Sequence, residues 1–245
     1  MHPVSQVKVR NCILSRLSDP DFLRIRPKLS WTSLAIRQHV ELPNRSIERI
    51  VFVEYGVVSV VARGIGDDNI EIGLIGREGM TGLPVIMGTD RSPNDTFVQV
   101  AGGGWSMTAA DLRNEMQNSA ALAQLCRFSA QAFYVQTAHT ALANGRATID
   151  QRLARWLLMA QDRMESPELA LTHDFLATML GVRRSGVTMA VGLLGKRNLV
   201  EQMRGSIIIR DREGLITVAD GFYGVPEREH LRLYGADPGA TRRIA

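Results

Sequence analysis

Cysteine is scarce in this sequence of 245 residues, because Cys12 and Cys126 are the only two and lie far apart. Neither belongs to a C-x-x-C pair, which disfavours a disulfide framework and a zinc ribbon and excludes an iron–sulfur cluster held within one chain. The five histidines are equally scattered and form no H-x-H or H-x-x-x-H pair. The sequence therefore offers no visible ligand set for a metal, and we expect none to be bound.

Long apolar runs are also missing, since no stretch of about 18 or more apolar residues occurs. The first residues, "MHPVSQVKVRNCILSRL", have neither the apolar segment nor the cleavage site of a signal peptide. Hydrophobic residues make up 45% of the chain and charged residues 22%, as in ordinary globular proteins. We therefore expect a cytoplasmic protein with no membrane partner, built as one large domain or two small ones.

Charge is unevenly distributed along the chain. The formal net charge is only +4, which is weak evidence for a polyanionic partner. Between residues 171 and 212, however, basic side chains outnumber acidic ones by seven to three: Arg183, Arg184, Lys196, Arg197, Arg204, Arg210 and Arg212 against Asp174, Glu201 and Asp211. This window is where a nucleic-acid contact is most strongly indicated.

Short apolar segments rich in β-branched residues occupy roughly residues 30–107. Three strands are predicted at Arg49–Val53, Val57–Ala62 and Ile70–Leu74, with Gly56 and the 64–69 loop as the turns between them. Another pair is predicted in "DTFVQVAGGGWSMTA", turning at 102–104. Many short antiparallel strands at close spacing are typical of a sandwich or a rolled barrel.

A long helix is predicted over residues 109–145, where glycine is absent until Gly145 and alanine, glutamine and leucine dominate. Apolar residues alternate at spacings of four and three along it, which favours a dimer seam because few other apolar helices are predicted to cover it. The alternative is a helix that lies on its own β domain. The seam consists of Ala121, Leu125, Phe128, Ala132, Val135, His139 and Leu142.

The stretch "LTHDFLATMLGVRRSGVTMAVGLL", from Leu171 to Leu194, has the spacing of a helix-turn-helix. Ala177 is the small residue needed where two helices cross closely, and Gly181 lies at the turn. Thr172 is the expected N-cap of the first helix. "LVEQMRGSIIIRD" then predicts a hairpin that turns at 204–206 and "DREGLITVA" a closing helix, so the segment reads as a winged helix.

The second helix of this pair, at about 184–194, is predicted to enter a major groove of DNA. Arg184 is the expected base contact, because a guanidinium donates two hydrogen bonds to a guanine edge. An ordinary helical hairpin with solvated arginines is the alternative, but two arginines at a helix start oppose the helix dipole, and a phosphate would compensate. The predicted DNA-binding residues are Thr172, Arg183, Arg184, Ser185, Thr188, Lys196 and Arg204.

The order of these parts resembles the Crp/Fnr superfamily of bacterial transcription regulators, on "GREGMTGLPVIMG", "DQRLARWLLMAQDRM" and the helix pair with its wing. The resemblance implies an α+β fold: a β-roll like that of cyclic-nucleotide-binding domains (1–108), a dimerisation helix (109–145), a winged helix-turn-helix (146–220) and a C-terminal tail (221–245), expected to be partly ordered at best. It also implies a homodimer that reads a near-palindromic site in double-stranded DNA.

The resemblance does not extend to the nucleotide pocket. Cyclic-nucleotide-binding relatives carry a Gly-Glu-Leu turn and a following Arg-Ser pair, whereas the matching turn here reads Gly82-Leu83-Pro84, without the carboxylate and with one amide fewer. The Arg-Ser pair matches either Arg91-Ser92 or, anchored on the next strand, Asn94-Asp95. Gly82, Leu83, Arg91 and Ser92 therefore mark a degenerate pocket, for which we expect weak or absent cyclic-nucleotide binding.

Other sensor types and functions fit the sequence less well. A lone Cys126 or His139 on an apolar helix face is more often a packing residue than an axial haem ligand, so no haem is expected. A regulator gated by a cyclic nucleotide is the first alternative. An enzyme on the β-roll is a remote one, because no nucleophile beside a base is visible. In a regulator without cyclic-nucleotide control, the β domain would serve dimerisation, bind a different effector or contact RNA polymerase.

Overall fold

The computed structural model describes residues 9–66, 68–164 and 166–235, and it confirms the α+β fold class. Residues 1–8 of the predicted β-roll segment and 236–245 of the predicted tail lie outside this description. The strands are β1 (Ser30–Leu34), β2 (His39–Glu41), β3 (Arg49–Arg63), β4 (Asn69–Ile75), β5 (Asp95–Thr108), β6 (Glu168–Leu169), β7 (Val200–Met203) and β8 (Ser206–Ile209). The helices are α1 (Asp19–Ile25), α2 (Leu83–Ile86), α3 (Ala109–Asn118), α4 (Ala120–Arg146), α5 (Ile149–Arg163), α6 (His173–Leu180), α7 (Arg184–Lys196), α8 (Arg212–Ala219) and α9 (Val225–Tyr234).

The N-terminal part is built on an antiparallel sheet in the order β1-β5-β3-β4, with β2 also paired to β5. Two long strands, β3 and β5, pair along most of their length and form the centre of the sheet. Their apolar side chains are buried on both faces: Val51, Val53, Val58 and Val98 on one side, Ile50, Phe52 and Met107 on the other. This double burial explains the nearly continuous apolar runs in the sequence.

Two predicted turns in this region are wrong. Gly56 lies inside the continuous strand β3, at a bulge where its φ is +89° and the register to β5 shifts. Gly102 and Gly103 lie inside β5, where a Cβ on Gly102 would stand 2.0 Å from the Tyr55 carbonyl oxygen and one on Gly103 would meet the Trp31 ring. These glycines permit close approach of neighbouring strands and bend the sheet, rather than reversing the chain.

The long helix predicted over 109–145 is two helices, α3 and α4, separated at Ser119. Ser119 is extended, with φ −135° and ψ 106°, and its hydroxyl accepts a hydrogen bond from the Leu122 N–H at 3.0 Å. A serine in this role starts a new helix because it satisfies one of the unpaired N–H groups of the first turn. The chain therefore changes direction before the 27-residue helix α4 begins.

Helix α5 joins the two halves of the molecule. Leu153, Trp156, Leu157 and Ala160 recur at helical spacing and are buried, and α5 is also buried on its other sides. One hydrophobic cluster contains sheet residues such as Val57 and Leu74 together with α5 and the C-terminal helices. The β domain and the C-terminal domain therefore share a continuous core.

The C-terminal tail contains a helix that the sequence analysis does not predict. Helix α9 packs along the first half of α4, where Phe128 and Tyr234 meet edge to face at 5.7 Å and the Tyr234 hydroxyl donates to the Leu125 carbonyl at 2.8 Å. The premise that few helices could cover the α4 seam is therefore wrong. At Leu125 and Phe128 the covering element is α9 of the same chain, whereas Val135 and His139 are half-buried and Leu142 is exposed.

None of the helices within residues 9–66, 68–164 and 166–235 is both long enough and apolar enough to cross a bilayer.

Candidate DNA interface

The helix-turn-helix is formed by α6 and α7, and its local chemistry follows the sequence. The Thr172 hydroxyl accepts a hydrogen bond from the Phe175 N–H at 3.2 Å, which caps α6 as predicted. Gly181 ends α6 in the left-handed region with φ +58°, a conformation that costs glycine little. The inner faces of the pair, which include Leu176, Val187 and Ala190, are buried. Packing of these buried side chains fixes α6 and α7 against the core of the C-terminal domain.

The outer face of α7 is not covered by any residue that the structure describes. Arg183, Arg184, Ser185 and Thr188 are all exposed. Arg183 is the N-cap of α7 and provides no side-chain hydrogen bond to the first turn. The Gly186 N–H donates to the Arg183 carbonyl at 2.9 Å, which leaves the N–H groups of Arg184 and Ser185 to solvent or to a phosphate, and the helix dipole favours an anion there.

Two side chains of α6 hold those of α7 in position. The Asp174 carboxylate lies 3.4 Å from Nε of Arg184, and both side chains are about two-thirds exposed. The Thr188 hydroxyl donates to the Arg184 carbonyl at 3.1 Å and lies 3.0 Å from Nδ1 of His173. Because a hydroxyl has a single hydrogen, Thr188 in this arrangement is left with one free acceptor position and no free donor.

The remaining predicted phosphate contacts lie at the edges of this surface. Lys196 is exposed in the last turn of α7, where its charge also suits the helix C-terminus. Arg204 is exposed at the tip of the wing, next to Gly205, whose φ of +80° allows β7 to turn back into β8. The hairpin prediction is confirmed, and the wing forms a three-stranded sheet with β6.

The degenerate nucleotide motif lies in the other half of the molecule. A buried carboxylate accepts the hydrogen bond of its Gly82 N–H group. Glu41 of β2 accepts a hydrogen bond from the Gly82 N–H at 2.6 Å and another from the Thr96 hydroxyl at 3.2 Å. Burial raises the pKa of Glu41, although these two hydrogen bonds oppose the rise. Leu83, which follows Gly82, is buried. The backbone donor that a phosphate would need is thus already used.

Neither reading of the Arg-Ser motif places a free cation at Gly82. Arg91 is exposed and pairs with its neighbour Asp90 at 2.9 Å. The Ser92 hydroxyl accepts a hydrogen bond from the Asn94 N–H at 3.0 Å and belongs to a turn. Asp95, which the second alignment would place there, is buried, lies 2.7 Å from Nδ1 of His39 and forms an ion pair with Arg63.

Several contributing residues were missed by sequence reasoning. Asp174 and His173 belong to the motif, but only their contacts with Arg184 and Thr188 show that they position α7. Glu41 lies about forty residues before the turn that it occupies, and no local pattern links the two. A buried carboxylate in a strand is a signal of a specific partner, but it does not say which one.

Comparison with known proteins agrees with this geometry. Residues 151–218 match the family model of the Crp-like helix-turn-helix domain. Residues 151–218 form a Crp-like helix-turn-helix domain, and the chain has the Crp/Fnr fold. The resemblance inferred from the sequence is therefore confirmed. No curated protein sequence matches the chain.

Solved structures of Crp/Fnr regulators extend the agreement to the β domain. A Crp/Fnr-family transcriptional regulator of Eubacterium rectale is 19% identical, with a TM-score of 0.67 over 84% of this chain and 97% of that one. FixK2 of Bradyrhizobium japonicum is 15% identical, with a TM-score of 0.67 over 78% and 96%. CLP of Xanthomonas campestris, a regulator responsive to cyclic di-GMP, is 15% identical, with a TM-score of 0.64 over 78% and 99%. At these identities the likeness shows the Crp/Fnr fold.

Proposed function

We propose that this protein is a homodimeric, sequence-specific transcription regulator that reads double-stranded DNA with the N-terminal turns of α7. The observation that carries the proposal is the exposed basic start of α7, with Arg183 and Arg184 exposed on a helix-turn-helix whose inner faces are buried. The fold of the Crp/Fnr regulators supports the same function. Arg184 reads a base edge, whereas Arg183, Thr172, Lys196 and Arg204 contact phosphates.

The dimer is proposed to form along the second half of α4. Tyr134 and Leu142 are 69% and 48% exposed there, and Val135 and His139 lie beside them on the same helix. A two-fold axis at this position would present two copies of α7 to one side of a duplex, about one helical turn apart. The binding site is therefore expected to be nearly palindromic.

Control by a cyclic nucleotide is not part of the proposal. The Gly82 amide is engaged by Glu41, the motif lacks its own carboxylate, and Arg91 pairs with Asp90 at the surface. Any one of these features would weaken phosphate binding in a Gly-Glu-Leu type of pocket. Together they support a regulator whose DNA binding does not require this ligand.

The test measures affinity for duplex DNA across a salt series. Each phosphate contact contributes about 0.9 to the slope of log affinity against log salt concentration. The double variant Arg183→Ala/Lys196→Ala is therefore expected to reduce this slope by about 2, uniformly over duplex sequences. Arg113→Ala, which removes an exposed arginine of α3, is the matched control and should leave the slope unchanged. An equal effect of both variants would contradict the assignment of α7.

A further inference from the structure

A cavity of about 190 Å³ lies where the β domain, α4 and the C-terminal helices meet. Its wall comes from the β4–α2 connection, the middle of α4, the end of α5, the start of α8 and one face of α9. Glu41 and Thr96, which surround the Gly82 amide, are not part of this wall. The cavity is therefore separate from the degenerate nucleotide motif, although Leu83 borders it.

Two ion pairs account for most of the charge in the wall. Nε of Arg163 donates to Glu78 at 2.7 Å, and Arg212 donates to Asp162 at 2.7 Å. The Tyr223 hydroxyl donates to the second oxygen of Asp162 at 2.7 Å. These two arginines are thus committed to carboxylates of the protein, and neither is left over to bind an anionic ligand. Arg77, the third arginine of the wall, is also engaged by the protein.

One acceptor in the wall is not matched in the same way. Glu227 of α9 accepts the Gly224 N–H at 2.8 Å and forms no ion pair within the residues that the structure describes. Burial and the nearby Asp162 raise the pKa of Glu227, although a main-chain hydrogen bond and the charges of Arg163 and Arg155 oppose the rise. Nε2 of His230, one turn along α9, has no hydrogen-bond partner among these residues, but it is closed off from the cavity as well as from solvent. Glu227 is therefore the acceptor in the wall that is left for a ligand.

The rest of the wall is apolar and of a suitable size for a small organic molecule. Leu74, Met80, Phe133 and Leu231 line it. An apolar protein cavity of about 150 Å³ holds benzene. A cavity of about 190 Å³ therefore accommodates a single ring or a short branched chain with one polar group.

We propose that this cavity is a binding site for a compact amphipathic amine, with the ammonium group donating to Glu227 and the apolar body against Phe133 and Leu231. The ligand supplies a positive charge and hydrogen-bond donors to a carboxylate that forms no ion pair among the described residues, which is the condition under which buried polar groups stabilise a complex. Since the wall includes both the β domain and the C-terminal domain, an occupant also stabilises their packing. This site does not depend on the proposed DNA function.

The test titrates the full-length protein with benzylammonium, benzyl alcohol and benzoate by calorimetry, because these probes share a ring and differ in the head group. Benzylammonium is expected to bind saturably and at least about tenfold more tightly than benzoate. Glu227→Gln keeps an oxygen for the Gly224 N–H but removes the charge, and it should weaken benzylammonium binding by about tenfold or more. Glu229→Gln is the matched control on the same helix, because Glu229 pairs with Arg232 and is not part of the wall.

A second variant, Ala132→Met, fills the cavity from α4 and is expected to abolish binding of all three probes. Melting temperatures of the variants without ligand show that each one is folded. The proposal is overturned if benzylammonium gives no saturable heat up to about 10 mM, if benzoate binds as tightly, or if Glu227→Gln and Glu229→Gln behave alike.

Discussion

Glu71 of β4 is a buried carboxyl group at the junction between the β domain and α5. It accepts a hydrogen bond from Nε1 of Trp156 at 2.7 Å, and its other oxygen lies 2.6 Å from the Ser59 hydroxyl. The Ser59 hydroxyl is also 2.6 Å from the side-chain oxygen of Gln99. Ser59 has one hydrogen, so a protonated Glu71 that donates to Ser59 allows Ser59 to donate to Gln99. Burial raises the pKa of Glu71 from 4.5 to about 7.

This raised pKa makes the stability of the fold depend on pH. As the pH rises above 4.5 the unfolded chain loses the Glu71 proton while the folded chain keeps it, so the free energy of unfolding falls with pH until the folded group also ionises near pH 7. Between pH 5 and pH 8 the two pKa values correspond to a loss of about 2.5 kcal/mol. Glu71→Gln mimics the protonated group, because its amide nitrogen donates to Ser59 and its oxygen accepts from Trp156.

The assay is urea unfolding of the wild type and Glu71→Gln at a series of pH values. We expect the variant to gain stability relative to the wild type as the pH rises from 5 to 8, by about 2.5 kcal/mol in total. Other titrating groups cancel in this difference. Glu48→Gln, which changes an exposed glutamate, should give a curve parallel to that of the wild type. Parallel curves for Glu71→Gln as well would refute the buried protonated carboxyl group.

Three further predictions concern DNA, the dimer and the nucleotide motif. Arg184→Ala should cost about 1–3 kcal/mol of binding free energy and relax the preference at one position per half-site in duplex selection, whereas a uniform loss would indicate a phosphate contact. Leu142→Asp should give monomers in sedimentation, and a Leu142→Asp protein that stays dimeric would place the interface elsewhere. Leu125→Asp should instead lower the melting temperature, because Leu125 packs against α9. Calorimetry with millimolar cyclic AMP or cyclic GMP should show no saturable heat. Saturable binding would mean that the hydrogen bond from the Gly82 N–H to Glu41 breaks to admit the nucleotide.

The parts of the structure that the sequence predicts are those that depend on local spacing. Thr172 and Gly181 mark the ends of α6 by their own chemistry, and Gly205 marks the turn of the wing. The apolar face of α5 follows from helical periodicity. Each of these signals lies within a few residues of the feature that it predicts, so the family of the C-terminal domain could be recognised from the residues alone.

The parts that could not be predicted depend on contacts between distant segments. A glycine in the sequence predicts a turn. Whether Gly102 reverses the chain or lets the Tyr55 main chain approach it closely depends on the neighbouring strand. The short helix α9 has a weak pattern and is stabilised by packing on α4. Glu41 accepts from Gly82, about forty residues away, and the cavity wall around Glu227 comes from several other elements. Neither the engaged Gly82 N–H nor the cavity therefore has a local signal in the sequence.

Selection of bound duplexes from a random pool by the purified, ligand-free protein shows whether two copies of α7 bind a symmetric DNA site without a cyclic nucleotide. Two salt concentrations separate sequence preference from general attraction to phosphates. We expect enrichment of a two-fold-symmetric site whose half-sites lie about one helical turn apart. Failure to enrich any sequence, or enrichment of a single asymmetric half-site, would show that α7 does not read DNA in this way.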